Sequence, residues 1–166
     1  KLIEAGAQID ATADATFDSI TPLHAAVTAD SPEVAEKLIE AGAQIDATND
    51  SGQTPLHEAA FKDSPEVAEK LIEGGAQVDA TDDSGETPLH AAAFFGFRDQ
   101  GSEVVKILLG AGANVNAVAS KKINTGGREH KYRETPLDSA REPEVKKIIR
   151  NHGGKKADNL SSRYGS

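Results

Sequence analysis

Apolar positions along the chain come in short clusters, separated by polar links rich in turn formers. Leu23, Ala25, Ala26 and Val27 follow Thr21-Pro22, and Val34, Ala35, Leu38 and Ile39 follow Ser31-Pro32 at the spacing that gathers side chains on one helical face. Thr or Ser ahead of Pro marks a helix start: the hydroxyl can cap an unpaired N–H, and proline's missing N–H would have had no intrahelical partner there. The pattern predicts a first helix opening at Thr21-Pro22 and a second over about Pro32–Glu40. Gly42 follows the last apolar pair, where a left-handed residue commonly ends a helix. Gly42→Val is therefore expected to cost more stability than Gly52→Ala in the link AQIDATNDSGQ, residues 43–53.

These clusters repeat. TPLH occurs at Thr21, Thr54 and Thr87, two intervals of 33 residues, a TPLD variant follows at Thr135, and SPEVAEKLIE at Ser31 returns unchanged at Ser64. Two helices of about ten residues cannot each bury both faces, so every unit must rest on its neighbours. The opening KLIEAGAQIDAT recurs from Lys37, and Lys1 is not preceded by Met. The chain thus starts inside a repeat, and a longer parent sequence is expected, with any targeting signal upstream.

The pattern TPLHxAA, then EVxxxLI, then GAxxxA resembles the ankyrin repeat across residues 1–153. That resemblance implies an all-α repeat solenoid of paired antiparallel helices joined by β-hairpin fingers. Its units would be a partial repeat 1–20, repeats 21–53 and 54–86, a longer one at 87–134, a capping repeat 135–153, and a loosely held tail 154–166. It further implies a concave face built from first helices, which puts Thr28, Ala29, Phe61, Lys62, Phe94 and Phe95 at partner-facing positions.

Departures from the period carry more information than the period itself, because stacking already explains regularity. The first finger, Ala7–Ile20, is three residues longer than the next and carries Phe17, and Ser19 stands where Gly52 and Gly85 stand later. The third repeat has four extra residues between its helices, with Phe94, Phe95, Phe97 and Arg98 crowded there. These are either interface anchors, for which aromatic and Arg side chains are suited, or the cover of a local cluster beneath the enlarged turn. Between Gly112 and Thr135 the spacing is 23 residues where regular repeats have 12. Two arms around Asn124, Thr125, Gly126 and Gly127 predict a long hairpin bearing Lys121, Lys122, Arg128, Lys131, Tyr132 and Arg133. It is either a contact for an acidic or phosphate-bearing partner or a solvated face. The second helix of the last repeat is charged, with Lys146, Lys147 and Arg150 on a surface expected to serve solubility.

Composition narrows the function classes. Apolar residues make up 37% and aromatic ones 4%, so the interior must be Ala, Leu, Ile and Val. The absence of Cys removes disulfides and thiolate metal sites. Residues 1–119 hold 6 Lys and Arg against 21 Asp and Glu, while residues 120–166 hold 12 against 6, which gives −15 and +6. An acidic solenoid disfavours nucleic acid, and there is no apolar run of about 18 residues to insert in a membrane. His24, His57 and His90 recur with the period, too far apart to share a metal, and are expected to hold backbone near the following finger. Gly126 and Gly127 lack the companions of a phosphate loop, and Asp82, Asp83 and Glu86 read as solvated fingertips. Asn116 resembles a position that asparaginyl hydroxylases modify in some ankyrin repeats, and otherwise reads as a turn residue. No nucleophile, base and orienting carboxylate assemble. The expectation is a non-enzymatic module without metal or cofactor that binds another protein or peptide, or a regulatory or inhibitory segment of a larger enzyme, channel or effector. The compartment is open, with the cytoplasm as the default.

Overall fold

The structure, a computed structural model, describes residues 19–95, 101–125 and 128–158. Its elements in chain order are α1 (Pro22–Thr28), α2 (Pro32–Glu40), α3 (Pro55–Lys62), α4 (Pro65–Glu73), α5 (Pro88–Phe95), α6 (Gly101–Gly110), β1 (Ala119–Thr125), β2 (Arg128–Glu134), α7 (Pro136–Ser139) and α8 (Pro143–Asn151). Helix α1 packs on α3, α3 on α5 and α5 on α7, while α2, α4, α6 and α8 stack alongside as a second layer. The core is the small-residue interior expected from composition. Leu23, Leu56 and Leu89 from the first layer meet Val67, Leu71, Val105 and Leu108 from the second, and Ala26, Ala59 and Ala92 let adjacent helices approach.

Every helix except α6 opens on proline, but the caps differ between layers. Thr21, Thr54 and Thr135 are extended N-caps in reciprocal capping boxes with His24, His57 and Asp138. Ser31 and Ser64, expected to cap in the same way, make no side-chain cap bond, and the Ser31 hydroxyl donates instead to the Ala29 carbonyl at 3.3 Å. A tight connection from the preceding helix, with Asp30 at φ 49° and Asp63 at φ 61°, fixes those two starts. Helix α2 ends as predicted. Gly42 has φ 90°, its N–H reaches the Ile39 carbonyl and the Ala43 N–H reaches Leu38, a pairing that satisfies two orphan carbonyls and recurs after α4, α6 and α8.

The regular fingers, residues 43–53 and 76–86, are turns rather than the expected strand pairs. Asn49 Oδ1 accepts from the Ser51 and Gln53 N–H groups at 2.9 and 3.0 Å, and Asp82 Oδ1 does the same for Ser84 and Glu86 at 2.8 and 2.9 Å. One short polar side chain thereby closes each finger. The inserted finger is the predicted hairpin, with Ala119 opposite Glu134 and Thr125 opposite Arg128. Its turn residues 126 and 127 lie outside the described residues.

Consecutive repeats are tied by a ladder that the sequence reading did not anticipate. Asp46 Oδ1 accepts from the Gln77 N–H at 3.0 Å, and Asp79 Oδ1 from the Asn114 N–H at 2.8 Å. Asn116 takes the third rung: its oxygen accepts from Lys155 N–H at 2.7 Å and its amide donates to the Gly153 carbonyl at 3.2 Å. The chain is consequently docked from Lys155 to Ala157, where a loose end was expected, and residues 159–166 lie outside the described residues. Thr135 Oγ1 donates to the Lys155 carbonyl at 2.7 Å, Asp138 Oδ2 accepts from Ala157 N–H at 2.8 Å, and Ala157 is buried. In the last TPLD motif an acceptor replaces the histidine donor, and it meets an N–H rather than a carbonyl.

Candidate functional site

Phe61 ends α3 one residue before its last position, and Phe94 and Phe95 close α5, so layer stacking sets their rings side by side. The Phe61 and Phe95 centroids are 4.3 Å apart and those of Phe94 and Phe95 4.6 Å apart, both in tilted or edge-on geometry, as aromatic quadrupoles prefer. The guanidinium of Arg141, just past α7, lies 3.7 Å from the centre of the Phe94 ring. Phe61 keeps 37% of its surface exposed. The row borders a groove of about 240 Å³, walled by Gln53, His57, Asp82, Glu86, Ala91 and Lys121 together with the three rings.

Fingers form the other wall, and histidines hold their bases. His57 Nε2 lies 3.0 Å from the Glu86 carbonyl and its Nδ1 lies 3.2 Å from the Thr54 N–H and 2.9 Å from its hydroxyl. A carbonyl only accepts, so Nε2 must carry the proton and Nδ1 must accept: the ring is neutral. His24 repeats this with Gln53 at 3.1 Å, and His90 with Glu134 at 3.2 Å. Burial holds all three below the usual histidine pKa, partly offset by the backbone carbonyl each one meets. The expectation of a structural, backbone-bonding role is met.

Lys121 is the point where the inserted finger touches the groove. Its ammonium is 2.6 Å from Glu86 and 3.0 Å from Glu134. Burial works against the charge, but the hydrogen bonds to both carboxylates outweigh it and raise the pKa above the ordinary lysine value. Lys121 was expected as one of five outward charges, and it instead clamps the finger to its neighbour. Pairing directly across the hairpin puts Tyr132 on the face of Lys121, and Ser120, Lys131 and Arg133 on the other. Lys131, Tyr132 and Arg133 are exposed. Lys62 lies 3.8 Å from Glu58, and Thr28 donates to that same Glu58 at 3.4 Å.

The structure therefore brings together Phe61, Phe94, Phe95 and Lys121 from the predicted set, with Lys62 beside them. Lys131, Tyr132 and Arg133 are on the finger, away from the groove lining. Phe17, Phe97 and Arg98 lie outside the described residues, as do the side chains of Lys122 and Arg128. Sequence reasoning missed Arg141, Asp82 and Glu86. Arg141 is separated from Phe94 by the whole inserted finger, whereas Asp82 and Glu86 repeat the positions of Asn49 and Gln53 and read from sequence as solvated fingertips. Among the described residues, no group of three or more His, Asp or Glu could hold a metal ion, and no helix is long and apolar enough to cross a membrane.

A family model for ankyrin repeats matches the chain in three copies, over residues 1–82 and 23–119. No curated protein sequence matches it.

Proposed function

Because the chain belongs to the ankyrin-repeat family, whose members are generally protein–protein interaction modules, we propose that it holds an exposed segment of a partner protein against the row of Phe61, Phe95 and Phe94. The observation that carries this reading is the row itself: apolar rings left half-open beside a groove, in a chain that has only five Phe. A stack needs apolar side chains between its layers, and these rings stand at the edge of that core, where burial by a partner is still to be gained. The reading includes no catalysis, no metal or cofactor and no nucleic acid, since the acidic solenoid would repel phosphate.

Affinity capture followed by binding kinetics tests it, with the native chain and a Phe61→Ala, Phe95→Ala variant checked for unchanged helicity. A partner retained by the native chain should dissociate from the variant about tenfold faster or more, because loss of an anchor acts mainly on dissociation. Equal retention would move the interface elsewhere. The exposed Lys131, Tyr132 and Arg133 favour the finger as the alternative contact, and replacing Lys131 and Arg133 with Ser would then slow association chiefly at low salt. Lys121 must be left intact in that variant, since it anchors the finger.

A further inference from the structure

The groove has a charge character that specifies its occupant. The two regular fingers carry Asp46, Asp50, Asp79, Asp82, Asp83 and Glu86, and no Lys or Arg. Asp82 and Glu86 are in the groove wall. The cations nearest the rings already have partners: Lys62 faces Glu58, Lys121 faces Glu86 and Glu134, and Arg141 lies on Phe94. Counting these groups, Lys62, Lys121 and Arg141 stand against Glu58, Asp82, Glu86 and Glu134, an excess of one carboxylate before Asp50 and Asp83 at the tips are added. Apolar walls focus such a field, because they exclude the water that would screen it. A groove of about 240 Å³ takes one large side chain, not a helix or a cofactor.

We propose that the occupant is an extended segment of another protein in which one apolar side chain is flanked by Lys or Arg. This rests on the interaction-module reading above and adds the chemistry of the partner. The apolar side chain covers the rings, and its basic neighbours meet Asp82, Asp83 and the carboxylate excess at Glu86 and Glu134. An acidic flank would instead face like charges on the finger wall.

Three synthetic peptides of one length test this, each titrated into isotope-labelled full chain and followed by NMR. The first has a central Leu between pairs of Arg, the second the same Leu between pairs of Glu, and the third a Ser in place of Leu between pairs of Arg. The first should shift the signals of Ala91 and Glu86, bind about tenfold or more tightly than either other, and weaken when salt shortens the screening length. Asp83→Asn combined with Glu86→Gln should reduce its affinity by about tenfold, as should Phe61→Ala. Binding of the Glu peptide equal to that of the Arg peptide, indifference to Phe61→Ala, or no shift with any peptide at millimolar concentration would overturn the proposal.

A captured partner separates the two readings. If its binding collapses with Phe61→Ala but ignores Asp83→Asn and Glu86→Gln, the groove stands and this chemistry falls. If it ignores all three, both fall. A concentration-dependent dimer in sedimentation, abolished by Phe61→Ala, would give the groove to a second copy through Lys131, Tyr132 and Arg133, and would overturn the proposal.

Discussion

The regular fingers and the inserted one leave equivalent helix ends and return to equivalent histidine bonds, yet they differ in length, charge and backbone. Residues 43–53 and 76–86 carry carboxylates without a cation and are closed by Asn49 or Asp82. Residues 113–134 carry Lys121, Lys122, Arg128, Lys131 and Arg133 against Glu129 and Glu134, and within them residues 119–125 and 128–134 pair as strands. His24 reaches the Gln53 carbonyl across 29 positions, and His90 reaches Glu134 across 44 at nearly the same distance. The repeat thus constrains where a finger begins and ends and leaves its length free. A loop tied at its base pays a closure entropy that grows only slowly with length. A longer finger needs its own order, which cross-strand pairing and the Lys121 clamp supply.

Breaking a finger at its base should have the largest effect. His57→Ala leaves the Glu86 carbonyl and Thr54 N–H unpaired in a fully packed place and opens a cavity, so a loss of about 2–4 kcal/mol is expected in urea denaturation. The same chemistry predicts a pH dependence. His24, His57 and His90 have folded pKa values below the ordinary 6.5, so in acid the unfolded chain binds protons that the folded chain does not. Their contribution is complete above about pH 6.5 and is lost as pH falls below it, by up to about 1.4 kcal/mol per pH unit for each histidine. Denaturation midpoints that stay flat from pH 7.5 to 5 would show that the rings are not held neutral.

The tip of a regular finger comes next, and here the structure adds a close approach between neighbouring fingers that the sequence did not show. Gly42 and Gly52 both have positive φ, 90° and 73°. A Cβ at Gly42 would meet open space, whereas one at Gly52 would lie 2.8 Å from the Asp83 backbone nitrogen in the next finger. Gly52→Ala should therefore cost about 1–3 kcal/mol and Gly42→Ala about 1 kcal/mol, the left-handed penalty alone. Equal midpoints would mean that fingers can part without cost.

The smallest effect on stability is expected from the clamp of the inserted finger. Lys121→Met breaks ion pairs that water still reaches, so less than about 1 kcal/mol should be lost. Amide exchange in residues 119–125 should nonetheless quicken more than in 43–53, because the regular finger does not use the clamp. Unchanged exchange would show that strand pairing alone holds the hairpin.

Legibility varied with the range of the interaction. The period, the Pro-started helices, the Gly42 terminus, the histidine role and the hairpin were readable because capping, helical spacing and turn chemistry act over a few residues, and recurrence in register repeats each signal. The cap serines failed for a reason of the same kind in reverse: Ser31 follows its partner helix so tightly that backbone geometry, set by Asp30 at positive φ, leaves its hydroxyl facing Ala29. The ladder of Asp46, Asp79 and Asn116 had a visible period but no visible partner, since each bond spans more than thirty residues.

What the sequence determined by itself was the stack: units too short to bury their own apolar faces, repeated in register, have no other way to remove that surface from water. Tertiary structure decided how the residues of the candidate site come together. Phe61, Phe95, Phe94 and Arg141 come from α3, α5 and the segment just past α7, and only the stacking of those repeats puts them in contact. Lys121 lies far along the chain from Glu86, and only the return of the finger to His90 brings the two together. Electrostatic and aromatic contacts act through space over a few ångströms, and distance along the chain carries no record of them.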